Sequence, residues 1–472
     1  MAVMMHKTVV LYPSLGVGHL NPMVELAKLF LRRGHAVIIA VVNPPDKDAV
    51  SADAVARLAA ANPAITFRLL PAPSSCGEED HFSSPILKTI DVLRRANAEL
   101  RELLRALPAV DALVVDMFCV DALDVAADLA IPAYFLYASA VGDLAVMFHL
   151  PYYYPAAPSS FKDMGTTPLH FPGVPPIRAL DMSTTMLDRE SDIAKERLRQ
   201  YTRMPEARGF LANSFDWLES RALEALRHGV CTPGRSTPPV YCIGPLVLPA
   251  QTSGERHPCL QWLDAQPERS VVFLCFGSLG TFSAAQLGEV ARGLEKSGHR
   301  FLWVVRNPPE HKDESVLEAS LPEGFLEKTA DRGFVVKNWA PQAEVLQHGA
   351  VGAFVTHCGW NSVLEGIVSG VPMICWPLYA EQRMNKVHVV EEMKVGVAMD
   401  GYEKEIVKAE DVEAKVRLVM ESEEGNKLRK RLSVAKKMAA DALNKGGSSD
   451  VAFEEFLRDL EKCSSDSNKK TM

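Results

Sequence analysis

Apolar runs alternate with amphipathic stretches along almost the whole chain, and the pattern occurs twice. Val9-Val10-Leu11, Ala36–Val42, Ile65–Leu70, Ala112–Met117, Ala133–Tyr137 and Gly209–Ala212 form the first series. Val271–Phe276, Phe301–Val305, Phe334–Lys337, Val351–Val355 and Pro372–Trp376 form the second. Runs that are apolar at nearly every position suit strands covered on both faces, which is the situation of parallel strands between helices. A one-faced antiparallel sheet would alternate polar with apolar residues. The fold class expected is therefore α/β, with two doubly wound, Rossmann-like domains facing a cleft.

Breaks in the rhythm locate the boundaries. Pro245 to Pro258, with Gln251-Thr252-Ser253-Gly254 inside it, is poor in apolar residues and reads as a linker. The expected division is 1–246 for the first domain, 247–258 for the linker and 259–443 for the second domain. The segment 444–472 is expected to be a C-terminal helix packing back on the first domain, with a frayed tail. Tyr152 to Pro176, rich in Pro, Ser, Tyr and Gly, is expected to be a long surface loop. The first helix is expected from about Asn21 to Arg33. Ser283 with Gln286 is expected to form a capping box for the helix beginning near Ala284.

Bulk properties exclude several classes. A net charge of −8 leaves no basic stripe for general nucleic-acid binding. No stretch approaches the 18 apolar residues needed to span a bilayer, and the N-terminus does not read as a signal peptide. Nine cysteines without a C-x-x-C pair fit reduced thiols and a cytoplasmic location better than a disulfide framework or a zinc site. Neither a metal nor a bound cofactor is expected, and a monomer is.

The polar residues that matter stand where strands end. Gly16-Val17-Gly18-His19 follows the first run, but the dinucleotide pattern G-x-G-x-x-G fails at Asn21, and no ribose-binding acid closes the second strand at Val42-Asn43-Pro44. An NAD-dependent enzyme is disfavoured on that ground. His19 remains as a candidate base, weighed against a merely structural histidine. Asp116 ends the run Ala112–Val115, so its strand can bring it beside His19, where a carboxylate would fix the imidazole tautomer and stabilise the imidazolium. The plain alternative for Asp116 is a helix cap, a role for which Asp121 is an equal candidate.

In the second half, Gly277-Ser278-Leu279-Gly280-Thr281 offers a glycine turn and two hydroxyls, and alone could be an ordinary strand-to-helix turn. The 44 residues from Trp339 to Gln382 are richer. Trp339 offers a π-face, although a lone Trp is more often core. His357, Trp360, Asn361 and Ser362 stand at a helix start, a natural anion site. Glu365 follows one turn later with a carboxylate suited to a diol, and Glu381-Gln382 closes the run.

Trp339–Gln382 resembles, ungapped and over its full length, the plant secondary product glycosyltransferase box of plant UDP-sugar-dependent glycosyltransferases, and the resemblance extends along the chain. It implies a GT-B fold with the donor held by the second domain. Trp339 would stack on uracil with Gln342 beside it, and Glu365 would hold the ribose. His357, Asn361, Ser362 and Ser278 would contact the diphosphate. Trp360, Glu381 and Gln382 would surround the sugar, with His19 as base and Asp116 as its orienting acid. Gln382, and the absence of an Arg at Trp360, imply UDP-glucose as donor.

The implied activity is inverting transfer of glucose to a phenolic, flavonoid-like hydroxyl. Transfer to carbon or to a non-phenolic acceptor is the alternative, and a non-catalytic UDP-sugar sensor a more distant one. Phe118, Tyr137, Ser139 and Phe148, with the Tyr152–Tyr154 segment, are acceptor-pocket candidates from position and apolarity alone.

Overall fold

Residues apolar on both sides must be covered on both sides, and the chain does this with two parallel sheets. The computed structural model describes residues 7–43, 52–71, 82, 84–247, 256–307 and 321–470. In chain order the first strands are β1 (Thr8–Tyr12), β2 (Ala36–Val42), β3 (Thr66–Leu70), β4 (Ala112–Asp116) and β5 (Ala133–Tyr137). A two-residue antiparallel ribbon follows, β6 (Pro168–Leu169) with β7 (Ile177–Arg178), then β8 (Gly209–Ala212) and β9 (Val240–Cys242). The seven-stranded sheet has the order β3-β2-β1-β4-β5-β8-β9, with every pairing parallel.

The second half provides β10 (Val271–Cys275), β11 (Arg300–Val305), β12 (Gly333–Lys337), β13 (Val351–Thr356), β14 (Met373–Cys375) and β15 (Gly396–Ala398). Their order is β12-β11-β10-β13-β14-β15, again all parallel. In each sheet the winding reverses once, between β1 and β4 in the first and between β10 and β13 in the second. Helices diverge to opposite faces at such a point, so a crevice opens beyond the carboxyl ends of those two strands.

Central strands are buried throughout, including every residue of β4, β5, β10 and β13. The run at 65–70 is an exception to the buried reading: β3 is a sheet edge, with Leu69 53% exposed.

The chain divides into two compact units, Met1–Leu180 with Thr185–Leu248 and Asp441–Met472, and Asp181–Thr184 with Pro249–Ala440. Most of the expected linker, 248–255, lies outside the described residues. The helix Ser448–Lys470 puts Phe453, Phe456 and Leu460 into the core of the first unit, beside Phe30 and Tyr134. Arg33 fastens it through Asp450 and Glu454, each at 2.5 Å.

Two local expectations are corrected. The proline-rich stretch 152–176 lies at the surface at Pro155, Pro158, Thr166, Thr167 and Pro168 but is not an irregular loop: Tyr154, Phe161, Leu169, Phe171 and Val174 anchor it as buried residues. Its turn-forming composition marks a 3-10 turn, a short helix and the β6–β7 ribbon instead. The capping box is half formed. The Ser283 hydroxyl accepts the Gln286 N–H at 3.3 Å, but the Gln286 amide pairs with the backbone of Val407 at 2.8 and 2.9 Å.

Candidate active site

The reversal between β1 and β4 is where His19 and Asp116 meet. Gly16 adopts φ 103°, which an L side chain would resist, and this lets the helix Val17–Arg32 start at once after the turn. The helix therefore begins four residues before the sequence-based start at Asn21, and Pro22 lies inside it. His19 falls in the first turn with its side chain 30% exposed, over a carboxylate only 2% exposed. Its Nδ1 is 2.8 Å from Oδ2 of Asp116, while Oδ1 of Asp116 accepts the Phe118 N–H at 3.0 Å. Both carboxylate oxygens are thus engaged and the side chain cannot swing. With Nδ1–H donating to Asp116, the basic lone pair of the ring is on Nε2.

Asp121, the alternative cap, makes no capping bond. Its carboxylate is taken by Arg94, Arg199 and Arg203; burial alone would raise its pKa, but Arg94 and Arg199 hold it below the usual carboxylate range.

Of the acceptor candidates, Phe118 stands at the site. Its ring meets the His19 imidazole edge to face, with centroids 5.4 Å apart, and the Arg197 guanidinium lies 4.5 Å from its centroid. Ser139 is buried and bonds Asp143 at 3.2 Å. Tyr137 is buried with its hydroxyl 3.2 Å from Met147 Sδ. Phe148 is buried, with its ring packed edge-on against Phe210. Tyr154, too, is buried, and its hydroxyl donates to the Met186 carbonyl.

The reversal between β10 and β13 assembles the second cluster. Gly277 has φ 74°, and a Cβ there would lie 2.5 Å from Nε2 of His357; a Cβ on Gly359 would lie equally close. The imidazole is therefore held between two backbones that only glycine allows. Burial pushes its pKa down to about 4, so the ring is neutral at physiological pH and acts as a hydrogen-bonding group rather than a cation. Its buried Nδ1 has no hydrogen-bond partner among the described residues.

The helix Trp360–Ser369 begins directly after Gly359, with no side chain capping it. Helical geometry leaves the first-turn N–H groups without intrahelical acceptors and places a positive dipole end at the turn. Trp360 and Ser362 are buried, and Asn361 is half-buried. Ser278 is exposed on the opposing turn, next to Leu279 at 72% exposure.

Gln342 links the next pair, its amide nitrogen lying 2.9 Å from the Ser362 hydroxyl and 2.5 Å from Oε2 of Glu365. Burial pushes the Glu365 carboxyl up in pKa, opposed by the bond from Gln342. Trp339, three residues before Gln342, is 62% exposed and touches the His257 ring only edge-on. The core reading of Trp339 is excluded.

Gln382 is buried, and its carbonyl oxygen accepts the N–H groups of Leu378 at 2.9 Å and Tyr379 at 3.0 Å. Only its amide nitrogen can serve a ligand, as a donor. Glu381 precedes it as the N-cap of the helix Gln382–Val387.

Sequence reasoning missed two features of this cluster. Arg306 follows β11, and its Nε donates to the Gly277 carbonyl at 3.1 Å, bracing the turn that carries Ser278. The rule that selected Asp116, a polar residue at the carboxyl end of a parallel strand, would have selected it. The other feature is backbone conformation: Asn338, Cys358 and Ala380 have φ of 63°, 67° and 55°. Each adjoins a candidate residue, Trp339, His357 or Glu381. Half of the six described non-glycine residues with positive φ thus lie in this one cluster, where strain is kept only if the surroundings impose it.

Among the described residues no group of three or more His, Cys, Asp or Glu is placed to hold a metal ion. None of the described helices is long and apolar enough to cross a membrane.

Comparison with known proteins identifies the family. The family described as UDP-glucoronosyl and UDP-glucosyl transferase matches residues 240–438. An anthocyanidin 5,3-O-glucosyltransferase from a Rosa hybrid cultivar is 44% identical over 465 residues, 93% of this chain and 96% of that one. A phloretin 2'-O-glucosyltransferase from Pyrus communis is 41% identical over 484 residues, covering 97% of this chain and all of that one. Among solved structures, UGT2 of Phytolacca americana, complexed with UDP-2fluoro-glucose and pterostilbene, superposes with a TM-score of 0.86 at 35% identity over 97% of this chain and 99% of that one.

Proposed function

This chain belongs to the plant UDP-glycosyltransferases and has their GT-B fold, and from that premise we propose that it transfers glucose from UDP-glucose to a hydroxyl of a phenolic small molecule. The observation that carries the catalytic part is the His19–Asp116 contact at 2.8 Å. A protein that merely sensed a UDP-sugar would have no need of an imidazole locked in one tautomer by a buried carboxylate.

In this reading Trp339 stacks on uracil, Glu365 accepts the ribose hydroxyls, and the start of the Trp360–Ser369 helix, with Ser278, Ser362 and neutral His357, binds the diphosphate. Trp360, Glu381 and Gln382 surround the sugar. Gln382 contributes through its amide nitrogen, because its oxygen is committed to the turn.

The reaction is a single displacement with inversion. The acceptor hydroxyl gives its proton to Nε2 of His19 while its oxygen forms a bond to the anomeric carbon. The bond from that carbon to the diphosphate oxygen breaks, and UDP leaves with the electron pair. Asp116 stabilises the imidazolium formed, and the helix start stabilises the charge on UDP. A phenol, with a pKa of about 10, suits an imidazole base better than an alkyl alcohol does. A phenolic acceptor is also consistent with the glucosyltransferases named above, which act on an anthocyanidin and on phloretin.

No metal ion or bound cofactor enters the proposal. The seven described cysteines are all buried and free, which suits a reducing compartment such as the cytoplasm.

The test is a panel of phenolics offered with UDP-glucose, UDP-galactose and UDP-glucuronate, with product mass and attachment site determined. A preference for either of the latter donors overturns the glucose assignment, and carbon attachment overturns the hydroxyl assignment.

A further inference from the structure

Asp181–Thr184 belongs to the second compact unit, although the sequence on either side of it belongs to the first. Asp181 is 1% exposed, and its carboxylate takes a bond from Lys386 Nζ at 2.9 Å and another from the Tyr402 hydroxyl. Lys386 is itself 7% exposed, with Nζ 5.0 Å from the centroid of the Tyr402 ring. Three residues after Asp181, the Thr184 N–H donates to the Ala380 carbonyl at 3.0 Å.

Both attachments flank the same two residues. Ala380 immediately precedes Glu381, and Lys386 lies one turn after Gln382 on the helix Gln382–Val387. Ala380 holds φ 55°, which alanine keeps only when its neighbours impose it. Gln382 closes the turn from one side through Leu378 and Tyr379, and Thr184 holds it from the other. A buried ion pair is a poor means of adding stability, since an apolar replacement often serves as well; its use is to fix one arrangement.

We infer that Asp181–Thr184 is a positioning clamp for the turn that reads the sugar, setting discrimination among UDP-sugars rather than affinity for UDP. The inference rests on the donor-site reading above. The residues assigned to uracil, ribose and diphosphate lie on other elements: Trp339 and Gln342 after β12, His357 to Glu365 after β13. The helix Gln382–Val387 also keeps a separate anchor to the diphosphate turn, from Asn385 Nδ2 to the Cys358 carbonyl at 2.9 Å. Loosening the clamp therefore frees the sugar end while the UDP end stays held.

Three variants test this. Thr184→Pro removes the N–H given to Ala380 at the first residue of the short turn Thr184–Met186, a position that tolerates proline. Tyr402→Phe removes one hydroxyl and keeps the ring. Asp181→Asn removes the charge. For each, kcat/KM with UDP-glucose and with UDP-galactose, inhibition by UDP, and the thermal midpoint are measured. The loss of one such hydrogen bond is expected to lower kcat/KM for UDP-glucose about tenfold and to shrink the glucose-to-galactose ratio, with UDP inhibition changed less than about twofold. An unchanged sugar ratio in Thr184→Pro and Tyr402→Phe overturns the clamp, as does weakening of UDP in proportion. Should Asp181→Asn fail to fold, the other two decide. Wild-type protein that turns over no UDP-sugar would overturn the donor-site reading itself, a result distinct from normal turnover with unaffected variants.

Discussion

His19 and Asp116 are 97 positions apart in sequence, yet Nδ1 of one lies 2.8 Å from Oδ2 of the other. The contact follows from topology. β1 and β4 are neighbours at the point where the first sheet reverses its winding, so the residues just beyond their carboxyl ends must converge.

If that pair is the base and its orienter, His19→Ala should reduce transfer by about 10²–10⁴-fold, the usual worth of a general base, while UDP still binds. Asp116→Asn should lower kcat and shift its pH profile, because an amide cannot stabilise the imidazolium. Steady-state rates and UDP inhibition measured together decide this; near-normal turnover in His19→Ala rules out the assignment.

Trp339 is 62% exposed, so its indole contributes little to folding. Stacking of an aromatic side chain on a base is worth about 1–3 kcal/mol, and Trp339→Ala should weaken UDP by that amount with an unchanged melting temperature. Trp339→Phe should recover part of the loss. Calorimetric titration with UDP is the measurement, and equal affinities in wild type and Trp339→Ala would exclude stacking.

Phe456, from the last helix, is fully buried and meets Phe30, Tyr134 and Tyr241 edge-on with centroids 4.9–5.8 Å apart. Phe456→Ala should cost about 3–5 kcal/mol in the unfolding of the first unit, the usual range for a large aromatic removed from a core. Urea denaturation followed by circular dichroism reads it. A loss below about 1 kcal/mol would make the helix peripheral, as for an ordinary surface change.

What the sequence disclosed and what it hid divide along physical lines. Strands such as β4 and β13 were legible because burial on both faces leaves a continuous apolar run. Asp116 was legible because it ends one. The start of the first helix was not, since the positive φ of Gly16, which lets the helix begin at Val17, is a backbone choice. Stretch 152–176 hides its order from the sequence because its prolines and glycines mark turns that stay largely at the surface, while Tyr154, Phe161 and Phe171 between them anchor the segment in the core. Gln286 gave its side chain to Val407, 121 positions away, and no local pattern signals such a partner. The left-handed Cys358 and Ala380 carry no residue-type signal at all.

The last prediction concerns pH and follows from the burial of His357 between Gly277 and Gly359. Burial lowers its pKa to about 4 in the folded protein, against about 6.5 in an unfolded chain. Between those values the unfolded state binds the proton and the folded state does not, so stability falls as pH drops through that window. The stabilising difference is fully present above pH ~6.5, and linkage gives a loss of about 2 kcal/mol from this one residue between pH 7 and pH 5. His357→Gln lacks a titrating group there, so its stability should fall by about 2 kcal/mol less than that of wild type over the same interval. The comparison cancels every other titrating group. Denaturant unfolding of both proteins at pH 7 and pH 5 measures it. Equal losses would mean that the imidazole is either already charged or open to water, and the assignment of a neutral hydrogen-bonding group at the diphosphate turn would fail with it.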